Sequence, residues 1–130
     1  MNTATLQSYA YSTDNFSKNY QPVLLTDRKK KQIIIRDVVM LEGDGNYTYF
    51  HLKCGKKILL SRTMKEYCEL FEQNDFVRVT KSYLINLNYL KGVEKLGELT
   101  VIMQSGQRIE ISRRRKSLFN QNFKAFKQRK

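Results

Sequence analysis

The sequence predicts a mostly β fold with antiparallel strands and two short helices. Three observations predict it: runs of β-branched residues recur, glycine-containing turns separate them, and helical spacing of apolar residues is confined to two stretches. A length of 130 residues suits one domain with one main core. Residues 1–21 are polar and lack periodicity, so we expect a flexible tail there and one folded domain over residues 22–130.

The first half of the domain carries a series of strand signals. QIIIRDVVMLEG (32–43) is typical of two short strands, with Asp37 as the break between them. The glycine-rich turn GDGN (43–46) leads into a strand from Tyr47 to Leu52. After a tight connection around Gly55, KKILLS (56–61) is expected to pair with that strand in antiparallel fashion.

The first helix is predicted over MKEYCELFEQ (64–73). Thr63 and Glu66 have capping-box spacing, and the helical pattern consists of Met64, Tyr67 or Cys68, and Phe71. FVRVT (76–80) alternates as a strand does. We interpret KSYLINLNYL (81–90) as a turn or short 3₁₀ segment packed inside, because polar side chains interrupt it at Ser82, Asn86 and Asn88.

The last third predicts three strands and a helix. KGVEKLGELTVIMQSGQRIEIS (91–112) contains three strand-like pieces, with turns at Gly97 and at Ser105-Gly106. Ser112 can cap a final helix, whose apolar side would consist of Leu118, Phe119, Phe123 and Phe126.

Positive charge is concentrated at the start of that last helix. The chain has a net charge of +12, and Arg113, Arg114, Arg115 and Lys116 follow the Ser112 cap directly. Helix N-termini carry partial positive charge, so adjacent cations cost stability there. Free N–H groups, a hydroxyl and four cations together favour a binding site for phosphate oxygens. The alternative is a solvated basic face that serves solubility. The cations at 28–31, 53, 56 and 57 are equally well explained as protection of strand edges.

Nothing in the sequence indicates catalysis, a metal or a cofactor. The single histidine, His51, alternates with two tyrosines in a predicted strand and has no partner nucleophile, so we expect a packed or surface residue. GDGN lacks the G-K-[ST] of a P-loop. Cys54 and Cys68 lack metal-site spacing and are interpreted as reduced thiols of a cytoplasmic protein. No apolar run approaches the length of a membrane span, and the N-terminus lacks the features of a secretory signal.

Three segments together resemble one known family. VVMLEGDGNYTYFHLKCGKKILLSRTMKEY (38–67), FVRVTKSYLINLNYL (76–90) and LTVIMQSGQRIEISRRRKSLF (99–119) contain, in order, the four hallmark motifs of the LytTR (LytR/AlgR-type) DNA-binding domain. The resemblance covers about residues 24–120. One departure is Thr80-Lys81, where many members carry His followed by Lys or Arg, so the base read at that position is left open.

The resemblance implies short antiparallel sheets packed along one axis, which present loops to two successive major grooves and bend the duplex between them. The family positions that reach bases match Asn46, Lys81 and Arg114. Positions that hold phosphates match Arg62, Ser82, Arg113 and Lys116, and the cation cluster adds Arg115. Asn is suited to adenine and Arg to guanine in the major groove. Asn46 has an alternative role as a turn residue in the left-handed region. Tyr83 and Asn86 are expected to be structural.

The predicted function is a transcription regulator that binds specific double-stranded DNA, with two copies on direct repeats and self-association on DNA. Family regulators usually carry a receiver domain before this module, and about 20 residues precede it here, so we favour a stand-alone regulator with input from a sensor or membrane partner. An RNA-binding module is the first alternative, with Tyr47, Tyr49 and Phe50 as stacking residues. A domain whose basic surface docks on an acidic protein or lipid is the second.

Overall fold

The computed structural model describes residues 4–5, 23–26 and 32–129, the first two segments by their backbone alone. Strands β1 (Ala4–Thr5), β2 (Val23–Thr26) and β3 (Gln32–Ile34) form an antiparallel sheet in the order β1-β2-β3. The predicted tail, residues 1–21, lies outside the described residues except for β1. No helix in the described ranges is both long and apolar enough to cross a bilayer.

The central element is a five-stranded antiparallel sheet in the order β6-β5-β4-β8-β7. Its strands are β4 (Val38–Asp44), β5 (Tyr47–Leu52), β6 (Lys57–Leu60), β7 (Phe76–Arg78) and β8 (Tyr83–Asn86). The predicted break at Asp37 is confirmed, because a 3₁₀ turn over Ile35–Asp37 separates β3 from β4. The predicted span of β5 is also confirmed. Gly45 closes the β4–β5 turn at a φ of 63°, a conformation that glycine adopts without strain.

A third sheet consists of β9 (Leu90–Glu94), β10 (Thr100–Met103) and β11 (Arg108–Glu110) in the order β11-β10-β9. Its two connections contain Gly97 and Gly106, both at positive φ. The three strand-like pieces predicted here are therefore confirmed, and so are their turns.

The described residues contain two α-helices, α1 (Met64–Glu72) and α2 (Lys116–Arg129), which is the predicted number. Thr63 occupies the N-cap position of α1, but its side chain makes no capping hydrogen bond. Arg62 instead holds the Glu66 carboxylate in an ion pair of 2.8 Å. The predicted capping box is therefore not formed: the Thr63 hydroxyl donates to Glu66 Oε2 at 3.4 Å, so Thr63 and Arg62 share the glutamate carboxylate.

The interpretation of KSYLINLNYL as a turn or 3₁₀ segment was wrong in its first half. Tyr83–Asn86 is a central strand, with β4 on one side and β7 on the other. The prediction took the polar residues as interruptions of a strand. Asn86, however, is buried and lies within the strand. A 3₁₀ turn follows over Leu87–Tyr89, as predicted. Strand β7 ends at Arg78, two residues before the predicted end.

The five-stranded sheet separates two hydrophobic clusters. On one face, Leu41 and Leu84 pack with Tyr67 and Phe71 of α1 and with Phe50. On the other face, the neighbours Met40 and Ile85 belong to a cluster with the third sheet and α2, whose buried members include Val101, Met103 and Phe119. Adjacent residues of a strand point to opposite faces, so β4 and β8 contribute side chains to both clusters.

The last helix is attached through a narrow apolar stripe. Phe119 is fully buried and stacks on Phe123 with ring centroids 5.5 Å apart, and Phe126 is half-buried. Leu118 is 46% exposed, so its predicted place on the packed side was wrong. Residues 119, 123 and 126 lie on one side of the helix. Residue 118 lies about 100° around the helix axis from Phe119, so its side chain points away from that side.

Asn86 carries a buried amide that bridges separate elements of the core. Its Nδ2 donates to the Val38 carbonyl and its Oδ1 accepts from the Asn88 N–H, both at 2.9 Å. The expectation that it satisfies buried backbone is confirmed.

Replacement Asn86→Ala should lower the free energy of unfolding by about 1–3 kcal/mol, because it leaves buried backbone groups without partners. Chemical denaturation measures the change. The control is Gln104→Ala, an exposed residue, which should change stability by about 0.5 kcal/mol or less. Equal effects of the two substitutions would contradict the bridging role of Asn86.

Candidate nucleic-acid interface

Three connections lie at the same end of the five-stranded sheet. In the strand register, Asp44 faces Tyr47 across the β4–β5 turn, and Glu42 faces Tyr83 at the start of β8. Thr48 faces Leu60, so the segment that follows β6 and contains Arg62 leaves at this end too. The sheet therefore brings together the turns that carry Asn46, Lys81 and Ser82, and the segment that carries Arg62.

Backbone hydrogen bonds fix these connections to one another. The Gly43 N–H donates to the Ser82 carbonyl at 2.8 Å, which joins the end of β4 to the β7–β8 turn. The Ser112 N–H donates to the Val79 carbonyl at 2.9 Å, which joins the same turn to the start of the arginine cluster. Through this bond, the segment before α2 is placed beside the β7–β8 turn.

The three residues predicted to contact bases, Asn46, Lys81 and Arg114, are all exposed. The left-handed position in the first turn belongs to Gly45, and Asp75 is the sole non-glycine residue with positive φ in the described ranges. The alternative role of Asn46 as a left-handed turn residue is therefore wrong. Because Gly45 fills the left-handed position of the turn, the Asn46 side chain is available to contact a ligand.

Two residues at the β7–β8 turn, Thr80 and Arg78, hold its backbone by side-chain hydrogen bonds. The sequence did not indicate this role for either of them. Thr80 Oγ1 accepts from the N–H groups of Ser82 and Tyr83, each at 3.0 Å. Arg78 Nη2 donates to the Lys81 carbonyl at 2.5 Å. A Ser/Thr hydroxyl that binds the backbone two residues later is a known turn device, so Thr80 could have been found from its position. The Arg78 contact is also local, since Arg78 and Lys81 are three residues apart, but no turn motif in the sequence indicates it.

The arginine cluster does not form the first turn of the last helix. Arg113–Arg115 form a 3₁₀ turn, and α2 begins at Lys116. Ser112 stands at the N-cap position of this turn, but its hydroxyl makes no capping bond and is buried without a partner. The predicted side-chain cap was therefore wrong. The carbonyl of Ser112 accepts from the Arg115 N–H at 3.0 Å instead.

The three arginines of the cluster differ in their exposure to solvent. Arg113 and Arg114 are exposed, whereas Arg115 is half-buried. Burial lowers the pKa of Arg115 from its usual value, and the charges of Arg78 and Arg114 lower it further. Arg113 and Arg114 are therefore the two members of the cluster that project into solvent.

Two of the predicted phosphate contacts already have anionic partners. Arg62 pairs with Glu66 at 2.8 Å, and Lys116 Nζ lies 3.4 Å from Glu98 Oε1. Ser82, like Arg113, is exposed. Because solvent-exposed ion pairs contribute about 1 kcal/mol or less, a polyanion can exchange them at little cost.

A polar cluster connects β4, β5 and β8 next to these turns. Glu42 Oε1 lies 2.9 Å from His51 Nε2, and the Tyr83 hydroxyl donates to Glu42 Oε2 at 3.4 Å. Burial raises the pKa of Tyr83, and the neighbouring Glu42 charge raises it further. His51 and Tyr83 are half-buried, which agrees with a structural role for both, although Tyr83 is not fully in the core as expected.

The aromatic residues of the RNA alternative and the two cysteines also bear on what the surface can bind. Phe50 is fully buried, so it cannot stack on a base as the RNA alternative expected. Tyr47 is 48% exposed, and Tyr49 lies under Lys57.

Cys54 is exposed, and burial raises the pKa of the Cys68 thiol. Within the described part of the chain, no cluster of three or more His, Cys, Asp or Glu residues could hold a metal ion.

Comparisons with known proteins agree with this architecture. A structural neighbour is the LytTr DNA-binding domain of a Bacillus cereus response regulator, with a TM-score of 0.64 and 20% sequence identity. The match covers 78% of this chain and 94% of the neighbour, and shows a shared fold. No curated protein matches the chain significantly.

The family model described as the LytTr DNA-binding domain matches residues 28–124. These residues include all three connections at the end of the five-stranded sheet and every residue predicted to contact DNA. The chain therefore belongs to the LytTr DNA-binding domain family.

Proposed function

We propose that the protein is a transcription regulator that recognises specific sequences in double-stranded DNA. In this proposal, Asn46, Lys81 and Arg114 contact base edges in the major groove. Arg62, Ser82, Arg113 and Lys116 contact phosphates. Arg115, half-buried in the same 3₁₀ turn, is a further phosphate contact. The observation that carries the proposal is the common position of the β4–β5 turn, the β7–β8 turn and the segment before α2, which are joined by the Gly43–Ser82 and Val79–Ser112 hydrogen bonds.

The chemistry of the three side chains fits base reading. An amide can donate to and accept from adenine, and a guanidinium can bind guanine through two parallel hydrogen bonds. Exposed amide, ammonium and guanidinium groups on separate turns contact separate base pairs, so the site can discriminate sequence. Bending of the duplex between two grooves, binding of two copies to direct repeats, and input from a sensor partner also belong to the proposal.

Binding to selected duplex DNA should weaken steeply as salt rises. The logarithm of the affinity is expected to fall with the logarithm of salt concentration, with a slope of about −0.9 for each phosphate contacted. Selection from random duplexes followed by titration at several salt concentrations measures both the preferred sequence and the slope. Tighter binding to single-stranded or structured RNA than to the selected duplex would contradict the proposal.

Replacement Arg114→Ala should reduce sequence preference more than general affinity. Loss of a bidentate base contact is expected to cost about 1–3 kcal/mol on the preferred duplex and little on random DNA. The matched control is Arg113→Ala, an exposed neighbour in the same 3₁₀ turn, which should weaken binding to both duplexes about equally. Equal losses on both duplexes for Arg114→Ala would defeat the assignment of a base contact.

Replacement Arg78→Met tests whether the brace on the Lys81 carbonyl supports recognition. The apolar stem is kept and the donor is lost, so binding to the preferred duplex should weaken while the salt slope stays unchanged. Arg108→Met is the control, because Arg108 pairs with Glu94 on the third sheet and its loss changes the net charge equally. A slope that becomes shallower by about 0.9 for Arg78→Met would mean that Arg78 contacts a phosphate itself.

A further inference from the structure

The last helix leads away from the connections that are proposed to meet DNA. It begins beside the arginine cluster, which the Ser112–Val79 hydrogen bond joins to the β7–β8 turn. At its other end Arg129 pairs with Asp75, the residue before β7. The β7–β8 turn and Asp75 lie at opposite ends of β7, and α2 rises by about 20 Å along its length. The second half of α2 is therefore remote from the proposed DNA contact.

A surface groove lies between this helix and the third sheet, with a volume of about 380 Å³. Val93 and Phe123 are half-buried and pack against the hydrophobic cluster beneath them. Lys127 Nζ lies 4.5 Å from the centre of the Phe123 ring. The groove thus has an apolar floor and a rim of ammonium groups. We call it the lysine groove, and it is lined by Val93, Lys95, Asn120, Phe123, Lys124 and Lys127.

The charge of the lysine groove is not balanced from within the described part of the chain. Lys95, Lys124 and Lys127 are exposed and take part in none of the ion pairs formed by the described residues. Glu94, the carboxylate next to Lys95 along the chain, is already bound by Arg108. A group of uncompensated cations favours an anionic partner.

A purely structural explanation accounts for part of this charge. Lys127 lies in the last turn of α2, where a cation is favourable beside the helix C-terminus. Lys124 lies one turn earlier, and Lys95 belongs to a different element. The helix dipole therefore does not explain why these two lysines border the same groove as Lys127.

The sheet side of the lysine groove is an edge strand. β9 contributes Val93, Lys95 follows it directly, and β9 pairs with β10 alone among the described strands. The outer row of backbone N–H and C=O groups on such a strand can accept an extended segment as an additional strand. The groove therefore offers backbone hydrogen bonds, apolar surface and positive charge to one ligand.

Other occupants fit these features less well. Duplex DNA is proposed to bind at the other end of α2. A bilayer is contacted through apolar side chains that project into it, whereas Val93 and Phe123 lie on the floor of a groove. A second copy of the chain carries the same charge of +12. Residues 1–22 of this chain have Asp14 and Lys18 as their charged side chains, so they supply no net negative charge.

We propose that the lysine groove binds an extended acidic segment of a partner protein. Apolar side chains of the segment cover Val93 and Phe123, and its carboxylates pair with Lys95, Lys124 and Lys127. Because the groove is remote from the proposed DNA contact, the domain can hold the segment and a duplex at the same time. The inference rests on the proposed function in one respect, since the segment is assigned to the sensor partner of the regulator.

The test uses a short blocked peptide of glutamate, leucine and valine residues, labelled with fluorescein, and anisotropy measures its dissociation constant on the full chain. The double variant Lys124→Gln/Lys127→Gln should weaken binding about five- to tenfold, because two exposed ion pairs are lost. Lys95→Gln, on the opposite side of the groove, should also weaken binding. A peptide with glutamine in place of glutamate should bind the wild type more weakly than the acidic peptide does.

The matched control is Lys56→Gln/Lys57→Gln, which removes two exposed charges beside β6, away from the groove. This variant should bind the acidic peptide as the wild type does, and circular dichroism checks that all variants are folded. Equal weakening in the two double variants would mean that the peptide responds to net charge alone, which would overturn the groove as its site.

The selected duplex provides the second part of the test. A saturating amount of duplex should leave the labelled peptide bound, and Lys124→Gln/Lys127→Gln should keep the wild-type salt slope on that duplex. Displacement of the peptide by the duplex, or a shallower slope in the variant, would make the groove part of the nucleic-acid surface and overturn the inference. Loss of flotation with phosphatidylserine vesicles in this variant, together with equal binding of the two peptides by the wild type, would make the groove a lipid site instead.

Failure of this inference and failure of the proposed function are distinguishable. A protein that prefers its selected duplex but binds the acidic peptide no more tightly than the glutamine peptide overturns the groove alone. A protein that binds the acidic peptide in the groove but has no sequence preference on duplex DNA overturns the proposed function and leaves the docking site in place.

Discussion

The interface depends on two backbone hydrogen bonds, from Gly43 to Ser82 and from Ser112 to Val79. The first joins neighbouring strands of the central sheet where their ladder ends. The second joins the β7–β8 turn to the segment after β11, and Val79 and Ile111 on its two sides belong to the same hydrophobic cluster. Neither bond could form unless β4 and β8 were paired in register and both clusters were packed. The relative position of the exposed turns is thus a property of the whole core.

Local sequence signals predicted the elements whose side chains alternate or repeat without interruption. Strand β5 was predicted at its observed bounds, because a glycine-rich turn precedes it and a tight connection around Gly55 follows it. The same reasoning failed at Tyr83–Asn86, where a buried asparagine looks like a break until its partners across the fold are known. It also failed for Leu118, because periodicity alone did not define the edge of the apolar stripe on α2.

The candidate site shows the same division between local and tertiary information. The residues matched through the family resemblance were named from sequence, and Asn46, Lys81 and Arg114 are exposed on adjoining segments. Sequence could not reveal that Arg115 is half-buried by its packing, or that Lys116 pairs with a carboxylate 18 positions earlier. These contacts join residues that are distant along the chain. Whether a cation is free for a ligand therefore has to be read from three-dimensional neighbours.

The internal support of the β7–β8 turn affects how the domain can associate with a partner. Thr80 and Arg78 hold the backbone around Lys81 before any ligand arrives. A turn that is already ordered loses little conformational entropy on association. The encounter can then resemble the docking of a preformed surface, with a rate governed by diffusion and long-range attraction between opposite charges. Induced folding of the loop is not required.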